Sequence, residues 1–212
     1  GECDYTVQGT EFDPTFDDNC SSATISNDFN NTNTLEDVDL PSGLNTITWT
    51  VTDGVNSTNC IIEISVEDNV VPTLTCPSTS PFARSTDSGE CTYAVQGTEF
   101  DATFSDNCSG ATIENDFNNT NTLDGAILSE GPTTITWTVS DGTNTTTCQI
   151  VVNVTDNEPP TITCPSGSPF ARNVDAGECT YTVQGGEFDP TAFGDNCAGA
   201  VITNDFNNQP SL

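Results

Sequence analysis

Two stretches of the chain alternate between hydrophobic and polar residues, which is the pattern of a β-strand with one buried face. In the segment 134–139, Ile135, Trp137 and Val139 fall on one face and threonines fall on the other. The segment 148–154 alternates in the same way. An Asp-Gly pair between the two segments predicts the turn of a β-hairpin. The pattern therefore predicts two adjacent antiparallel strands, with Trp137 at the centre of a core.

Shorter β patterns precede this hairpin. They lie around Leu74 and over residues 91–95 and 111–117, and turn-forming residues separate them. No segment has the 3.6-residue period of an amphipathic helix. Six or seven short strands within about 90 residues are typical of an immunoglobulin-like β-sandwich. The sequence therefore predicts an all-β protein.

The chain repeats itself at an offset of 88 residues. Between Cys3–Leu35 and Cys91–Leu123, 27 of 33 positions are identical. The repeat predicts three sandwiches: residues 1–71 and 160–212 form incomplete copies, and residues 72–159 form a complete one. Small repeated modules usually form extended arrays that provide reach or multivalent contact. We therefore expect an elongated array and interpret the chain as a section of a longer protein.

The composition is strongly acidic. There are 32 aspartates and glutamates against two basic residues, Arg84 and Arg172, which gives a formal net charge of −30. Nucleic acid and anionic membrane surfaces are therefore excluded as direct partners, because binding to either requires positive charge. The chain contains neither histidine nor lysine, which excludes nucleophilic triads. We expect a protein that is not an enzyme and that binds cations, calcium first, with simple solvation in salt as the alternative.

Ten cysteines at regular spacing in small modules predict a disulfide framework and an oxidising, extracellular location. Four cysteines in one module allow three pairings. We favour Cys76–Cys91 and Cys108–Cys148 in the complete module, which leaves Cys3 and Cys197 without partners in this chain. The cysteines predicted to form bonds are Cys20, Cys60, Cys76, Cys91, Cys108, Cys148, Cys164 and Cys179.

Several phrases of the repeat resemble the hyalin repeat. They are Thr-Cys-Pro at 163–165, Gly-Glu-Cys at 177–179, Asp-Asn-Cys at 195–197 and Asp-Asn-Glu-Pro-Pro at 156–160. The phrases at 7–13 and 115–120 are also similar to those of giant repetitive surface adhesins of gliding bacteria. This resemblance implies an immunoglobulin-like, adhesion-associated module on a cell surface. Its expected partners are neighbouring repeats of the same chain, surface glycans and, through self-association into fibres, further copies.

Acidic residues are concentrated where one predicted module ends and the next begins. These junctions resemble the calcium-binding linkers of cadherins, and Ca²⁺ prefers six to eight oxygen ligands. The predicted ligands are Asp68, Asn69, Asp87 and Glu90 at the first junction and Asp156, Asn157, Glu158, Asp175 and Glu178 at the second. The alternative is a solvated acidic turn made rigid by prolines. Asp101, Asp106 and Asn107 form a second acidic cluster that is a further candidate for binding cations, although we favour their interpretation as ordinary turn residues.

Two further features bear on function. Asn30, Asn118 and Asn144 begin Asn-x-Ser/Thr triplets and are predicted glycosylation sites. Phe100, Phe104 and Phe117 are candidate aromatic platforms for sugars, although core packing explains them equally well. Taken together, the sequence predicts a structural or adhesive extracellular stalk or filament of disulfide-bonded modules. The alternative is a carbohydrate-binding module array of a secreted protein.

Overall fold

The computed structural model describes residues 2–19 and 22–210 and is all-β. No helix occurs among these residues, and none of them forms a segment able to cross a membrane as a helix. The strands of the described residues are β1 (Asp4–Thr6), β2 (Thr24–Asn27), β3 (Asp39–Pro41), β4 (Gly43–Thr52), β5 (Ser57–Val66), β6 (Thr73–Thr75), β7 (Phe82–Ser85), β8 (Thr92–Ala94), β9 (Thr103–Ser105), β10 (Thr112–Asn115), β11 (Ile127–Ser129), β12 (Gly131–Ser140), β13 (Thr145–Thr155), β14 (Thr161–Thr163) and β15 (Ala192–Gly194).

The long hairpins lie where the alternating patterns predicted them. Strand β4 pairs antiparallel with β5 over its whole length, and β2 pairs with the other edge of β4. One repeat later the order is β10-β12-β13-β7. Strands β10 and β12 begin 88 residues after β2 and β4, so equivalent residues form equivalent strands in both copies.

The buried residues are those that alternation placed on the inner faces. Ile135, Trp137 and Val139 on β12 are fully buried, and Ile47 and Trp49 on β4 are at most 1% exposed. In the first repeat these side chains form a cluster with Val7, Leu35 and Leu40. The prediction of a tryptophan-centred hydrophobic core is confirmed for β12.

Two of the strands that were not predicted, β7 and β9, show how pairing partners determine structure. Strand β7 contains a single large hydrophobic residue, Phe82, together with Arg84, and so has no clear β pattern. It forms nevertheless, because it pairs in parallel with the end of β13, with Phe82 opposite Val152. Strand β9 lies within a segment interpreted as a loop and pairs with β6. In both strands the pairing partner, rather than the local sequence, determines the structure.

The disulfide pairing differs from the prediction. Cys76 bonds to Cys148, Cys3 to Cys108, and Cys91 to Cys197. The predicted pairs Cys76–Cys91 and Cys108–Cys148 are therefore wrong, and Cys3 and Cys197 do have partners. The prediction favoured cysteines close in sequence, whereas the observed partners are 72, 105 and 106 residues apart.

The remaining predicted cysteines are not bonded in the described part of the chain. Cys60, Cys164 and Cys179 are free and exposed, and Cys20 lies outside the described residues. Three disulfides in a chain of this size indicate an oxidising, extracellular environment.

The chain divides into two compact units. The first comprises Gly1–Cys76, Ala102–Asn121 and Thr136–Cys148, and the second comprises Pro77–Asp101, Thr122–Ile135 and Gln149–Leu212. The first unit contains the Cys3–Cys108 and Cys76–Cys148 bonds, and the second contains Cys91–Cys197. Neither unit coincides with one 88-residue repeat.

Candidate metal centre

Three carboxylates converge in the first unit. Asp68 follows β5, Asp106 follows β9, and Asp141 begins the turn between β12 and β13. One oxygen of each lies within 4.8 Å of the other two. Among the described residues this is the only group of three or more ligand-type side chains composed entirely of carboxylates.

Several oxygens in this cluster are buried and lack a hydrogen-bond partner among the described residues. They are Oδ2 of Asp68, both carboxylate oxygens of Asp106 and Oδ1 of Asn107. Buried polar atoms are normally satisfied, because leaving one without a partner costs about 1–3 kcal/mol. Four such oxygens next to one another form a donor set that fits a cation.

The other atoms of the cluster are held in place by hydrogen bonds. Oδ1 of Asp68 accepts from the Val70 backbone N–H (3.0 Å) and from Nδ2 of Asn107 (3.4 Å). Oδ1 of Asp141 accepts from the backbone N–H groups of Thr143 and Asn144. The hydrogen bond from the Asn144 backbone N–H, helped by the bond from the Thr143 N–H, lowers the pKa of Asp141 below its usual value, and the opposing effect of desolvation is not large enough to reverse this. Asp141 is therefore ionised at neutral pH.

Repulsion within the cluster is substantial. Two unit charges about 4.8 Å apart repel by roughly 3 to 4 kcal/mol at an effective dielectric of about 20. Arg84 and Arg172, the two basic side chains of the chain, pair with Glu99 and Glu187 and are not available to neutralise it. A bound cation would remove this repulsion. The oxygen-only donor set fits a hard cation such as Ca²⁺ or Mg²⁺.

The same arrangement recurs in the second unit. Nδ2 of Asn196 donates to the Glu90 carbonyl (2.8 Å) and to Oδ1 of Asp156 (3.2 Å). Nδ2 of Asn107 makes the equivalent bonds to the Glu2 carbonyl (3.1 Å) and to Asp68. Asp195 and Asn196 each keep one buried oxygen without a partner among the described residues. Among the described residues, the carboxylates of this second group are those of Asp156 and Asp195.

Only part of the predicted ligand set belongs to these clusters. Asp68 and Asp156 do, whereas the Asp87 and Asp175 carboxylates accept backbone N–H groups within their own turns, from Ala94 and Thr182. Glu158 accepts from the backbone N–H of Gly89, and Asn157 donates to the Ser85 hydroxyl. These four side chains stabilise local structure. Among the described residues, the side chains of Asn69, Glu90 and Glu178 contribute to neither cluster.

The predicted ligand set did not include Asp106, Asn107 or Asp141, which follow β9 and β12. Asp106 and Asn107 were grouped with Asp101 as turn residues, yet Asp101 accepts from the Thr122 hydroxyl (2.7 Å) and the Leu123 N–H (2.8 Å) instead. Asp141 was interpreted only as part of a hairpin turn. The one sequence signal for a shared role of Asp106 and Asn107 was the recurrence of Asp-Asn directly before Cys20, Cys108 and Cys197. A turn by itself does not require an asparagine beside each of these cysteines.

The predicted glycosylation sites have amide groups engaged in the fold. Nδ2 of Asn30 donates to the Thr34 carbonyl (3.1 Å), and Nδ2 of Asn144 donates to the Asp68 carbonyl (3.2 Å). Oδ1 of Asn118 accepts from Nδ2 of Asn115 (2.8 Å). A glycan on Asn30 or Asn144 would have to be accommodated beside these bonds, and glycosylation remains a prediction.

Comparisons with known proteins do not place the chain in a family. No family model and no curated protein matches it. Two solved structures of an endo-fucoidan hydrolase from glycoside hydrolase family 107 are similar to it with TM-scores of 0.27 and 0.26 and identities of 20% and 21%. Each alignment covers 65% of this chain and 24% of the hydrolase.

Domains 4–9 of the surface layer protein SbsC are similar with a TM-score of 0.25 and 16% identity, over 69% of this chain and 24% of that one. The chain thus spans about a quarter of each of these proteins. The scores are too low to transfer a fold or an activity.

Proposed function

We propose that this chain is a section of an extracellular, cell-surface stalk or filament made of tandem immunoglobulin-like β-sandwiches of the hyalin-repeat type. Its role is mechanical and adhesive rather than enzymatic. Calcium at the Asp68–Asp106–Asp141 cluster, and at the related Asp156–Asp195 group, makes each junction between repeats rigid.

One observation carries this proposal, namely the covalent bond between successive repeats. Cys3 belongs to the first repeat and Cys108 to the second, and Cys91–Cys197 joins the second repeat to the third in the same way. A protein with one compact active site has no need of such a periodic linkage, whereas a load-bearing array gains a second covalent path across every junction. The acidic clusters lie directly beside these bonds, since Asn107 precedes Cys108 and Asn196 precedes Cys197.

Small-angle X-ray scattering tests the proposal. If each repeat contributes on the order of 40 Å of length, the chain forms a rod of about 100 Å with a radius of gyration of about 30 Å. A single globule of this length has a radius of gyration of about 17 Å.

We expect the larger value in calcium and a change in the scattering profile on chelation, because the junctions lose their cation. A value near that of a globule, with or without calcium, would refute the array.

A carbohydrate-binding array is the second candidate. Phe104 and Phe117 are 39% and 40% exposed, and their equivalents Phe16 and Phe29 in the first repeat are 45% and 41% exposed. These repeated rings favour this function, whereas Phe100 is fully buried and belongs to the core. Binding on a glycan array that is lost in a Phe104→Ala, Phe117→Ala double variant would support it.

A further inference from the structure

The end of β5 is an open strand edge in the first repeat. Its equivalent, the end of β13, is covered by β7, and Ile150, Val152 and Val154 are buried there to within 1%. Their counterparts Ile62, Ile64 and Val66 are only partly buried. Among the described residues, β5 is the edge strand of its sheet, and no strand pairs with its outer edge.

The segment that covers β13 makes specific side-chain contacts. Phe82 is 9% exposed and packs on Phe100 with 4.9 Å between ring centroids. Arg84 forms an ion pair with Glu99 at 2.6 Å and lies over the Phe100 ring. The Ser80 hydroxyl accepts the backbone N–H of Val151 on β13 (2.9 Å). The segment that covers β13 is therefore recognised through three consecutive residues: an aromatic residue, a small residue and an arginine.

The third repeat makes the same contacts without a strand. Phe170 packs on Phe188 at 5.3 Å, and Arg172 pairs with Glu187 at 2.9 Å. The segment around Phe170 is not a strand. The aromatic and ionic contacts thus form even where no strand pairing supports them.

The first repeat contains counterparts of the residues that Phe82 and Arg84 contact in the second repeat. Tyr5 donates to Glu11 (2.8 Å) as Tyr93 donates to Glu99 (2.6 Å), and Phe12 stands where Phe100 does. A cleft of about 300 Å³ lies between Tyr5, Phe12 and the residues 64–67. Both arginines of the chain are paired elsewhere, so Glu11 has no guanidinium partner. The vacant cleft has the size, lining and charge that suit a phenylalanine followed by an arginine.

A free thiol lies on the same strand. Cys60 of β5 is the counterpart of Cys148 on β13, which bonds to Cys76 at the start of the segment leading to β7. Cys60 is free and exposed, so its thiol is accessible to an incoming cysteine. The thiol and the vacant cleft are separate observations that indicate the same occupant.

We propose that the open edge of β5, from Cys60 to Glu67, is a binding site for the Cys-Pro-Ser-Thr-Ser-Pro-Phe-Ala-Arg segment of a further repeat of this kind. The segment adds as a strand parallel to β5. Its phenylalanine enters the cleft beside Phe12, its arginine pairs with Glu11, and its cysteine bonds to Cys60. This site is separate from the acidic cluster and does not depend on a bound cation.

The covalent step is a thiol–disulfide exchange. With the incoming cysteine supplied as a mixed disulfide with a small thiol, the Cys60 thiolate attacks the peptide sulfur. The new Cys60–peptide bond forms as the old sulfur–sulfur bond breaks, and the small thiol leaves with the electron pair. No other oxidant is required.

The test uses the whole chain and a synthetic peptide with the sequence of residues 76–85, activated as the mixed disulfide with glutathione. Cys164 and Cys179 serve as internal controls, because they are equally free and exposed but belong to the third repeat. We expect mass-spectrometric mapping to find the peptide on Cys60, formed at least roughly tenfold faster than on either control, because binding raises its effective concentration there.

Peptides with Phe82→Ala or Arg84→Gln separate recognition from simple thiol reactivity and leave the protein itself unchanged. We expect either change to abolish the preference for Cys60, and Glu11→Gln in the chain to act like the arginine change. Equal labelling of the three thiols, or an undiminished preference with the altered peptides, would overturn the proposal.

Discussion

At the scale of single residues, burial without a partner is the most informative property of the acidic cluster. The chain has many carboxylates, and most of them are exposed. Asp106 differs because both of its oxygens are buried and unpartnered among the described residues. Because water does not reach the Asp106 oxygens, their repulsion with Asp68 and Asp141 is stronger than it would be at the surface. We therefore expect Asp106 to be the main source of instability of the cluster when no cation is bound.

Replacing Asp106 by asparagine should therefore change stability in opposite directions with and without calcium. Without calcium, Asp106→Asn should raise the melting temperature because repulsion is relieved. With calcium, it should reduce affinity about tenfold or more, because a charged ligand is lost. Calorimetry in chelator and in calcium measures both effects.

Glu114→Gln is the matched control, since it removes the same charge from an exposed position on β10. It should leave calcium binding unchanged. A destabilised Asp106→Asn variant in chelator, or calcium affinities that fall equally in both variants, would contradict the site.

At the scale of elements, a buried asparagine organises the turn that follows β2 and β10. Asn115 is 2% exposed, and its Oδ1 accepts the backbone N–H groups of Phe117 and Asn118, both at 3.0 Å. Its Nδ2 donates to the Thr120 carbonyl at 2.8 Å. Asn119 adopts a left-handed conformation with φ of 57°, which asparagine tolerates better than most residues. Asn27 makes the same turn in the first repeat.

Asn115→Ala should destabilise the protein by about 2 to 4 kcal/mol, because it leaves several backbone groups of a partly buried turn without partners. Denaturant unfolding with the disulfides intact measures this free energy. The control is Asn121→Ala, at an exposed position of the same turn. Equal effects of the two substitutions would show that Asn115 is not the organising residue.

At the scale of the whole molecule, two of the three disulfides among the described residues, Cys3–Cys108 and Cys91–Cys197, connect successive repeats, whereas Cys76–Cys148 lies within the second repeat. Extending a closed loop from about 15 to about 105 residues adds only about 2 kcal/mol of closure entropy. This cost is small enough for tertiary contacts to overcome. The pairing is thus decided by which strands meet and not by which cysteines are close in sequence.

Non-reducing peptide mapping should recover Cys3 linked to Cys108 and Cys91 linked to Cys197. It should not recover the within-repeat pair Cys76–Cys91. A consequence is that a single backbone cut between Cys3 and Cys108 releases no fragment until the protein is reduced. Recovery of Cys76–Cys91 as the main species would show that each repeat is closed on itself.

The long strands were predictable because their information is local. The alternation around Trp137 predicts a strand with one buried face without reference to any distant residue, and the face that carries Trp137 is indeed buried. Strand β7 was not predictable, because Phe82 and Arg84 acquire their roles from Phe100, Glu99 and the edge of β13. The place of Asp141 in the acidic cluster was not predictable for the same reason, since Asp141 lies in a turn whose hydrogen bonds are complete by themselves.

The amino-acid sequence by itself determined the positions of the long strands, the 88-residue repeat, the acidic character and the presence of a disulfide framework. Each of these follows from local periodicity, from self-similarity or from composition. Only the tertiary structure decided that Cys3 bonds to Cys108, that Asp68 meets Asp106 and Asp141, and that β5 is open where β13 is covered. These features depend on strand pairing between segments far apart in the chain, and neither periodicity nor spacing specifies which distant partners meet.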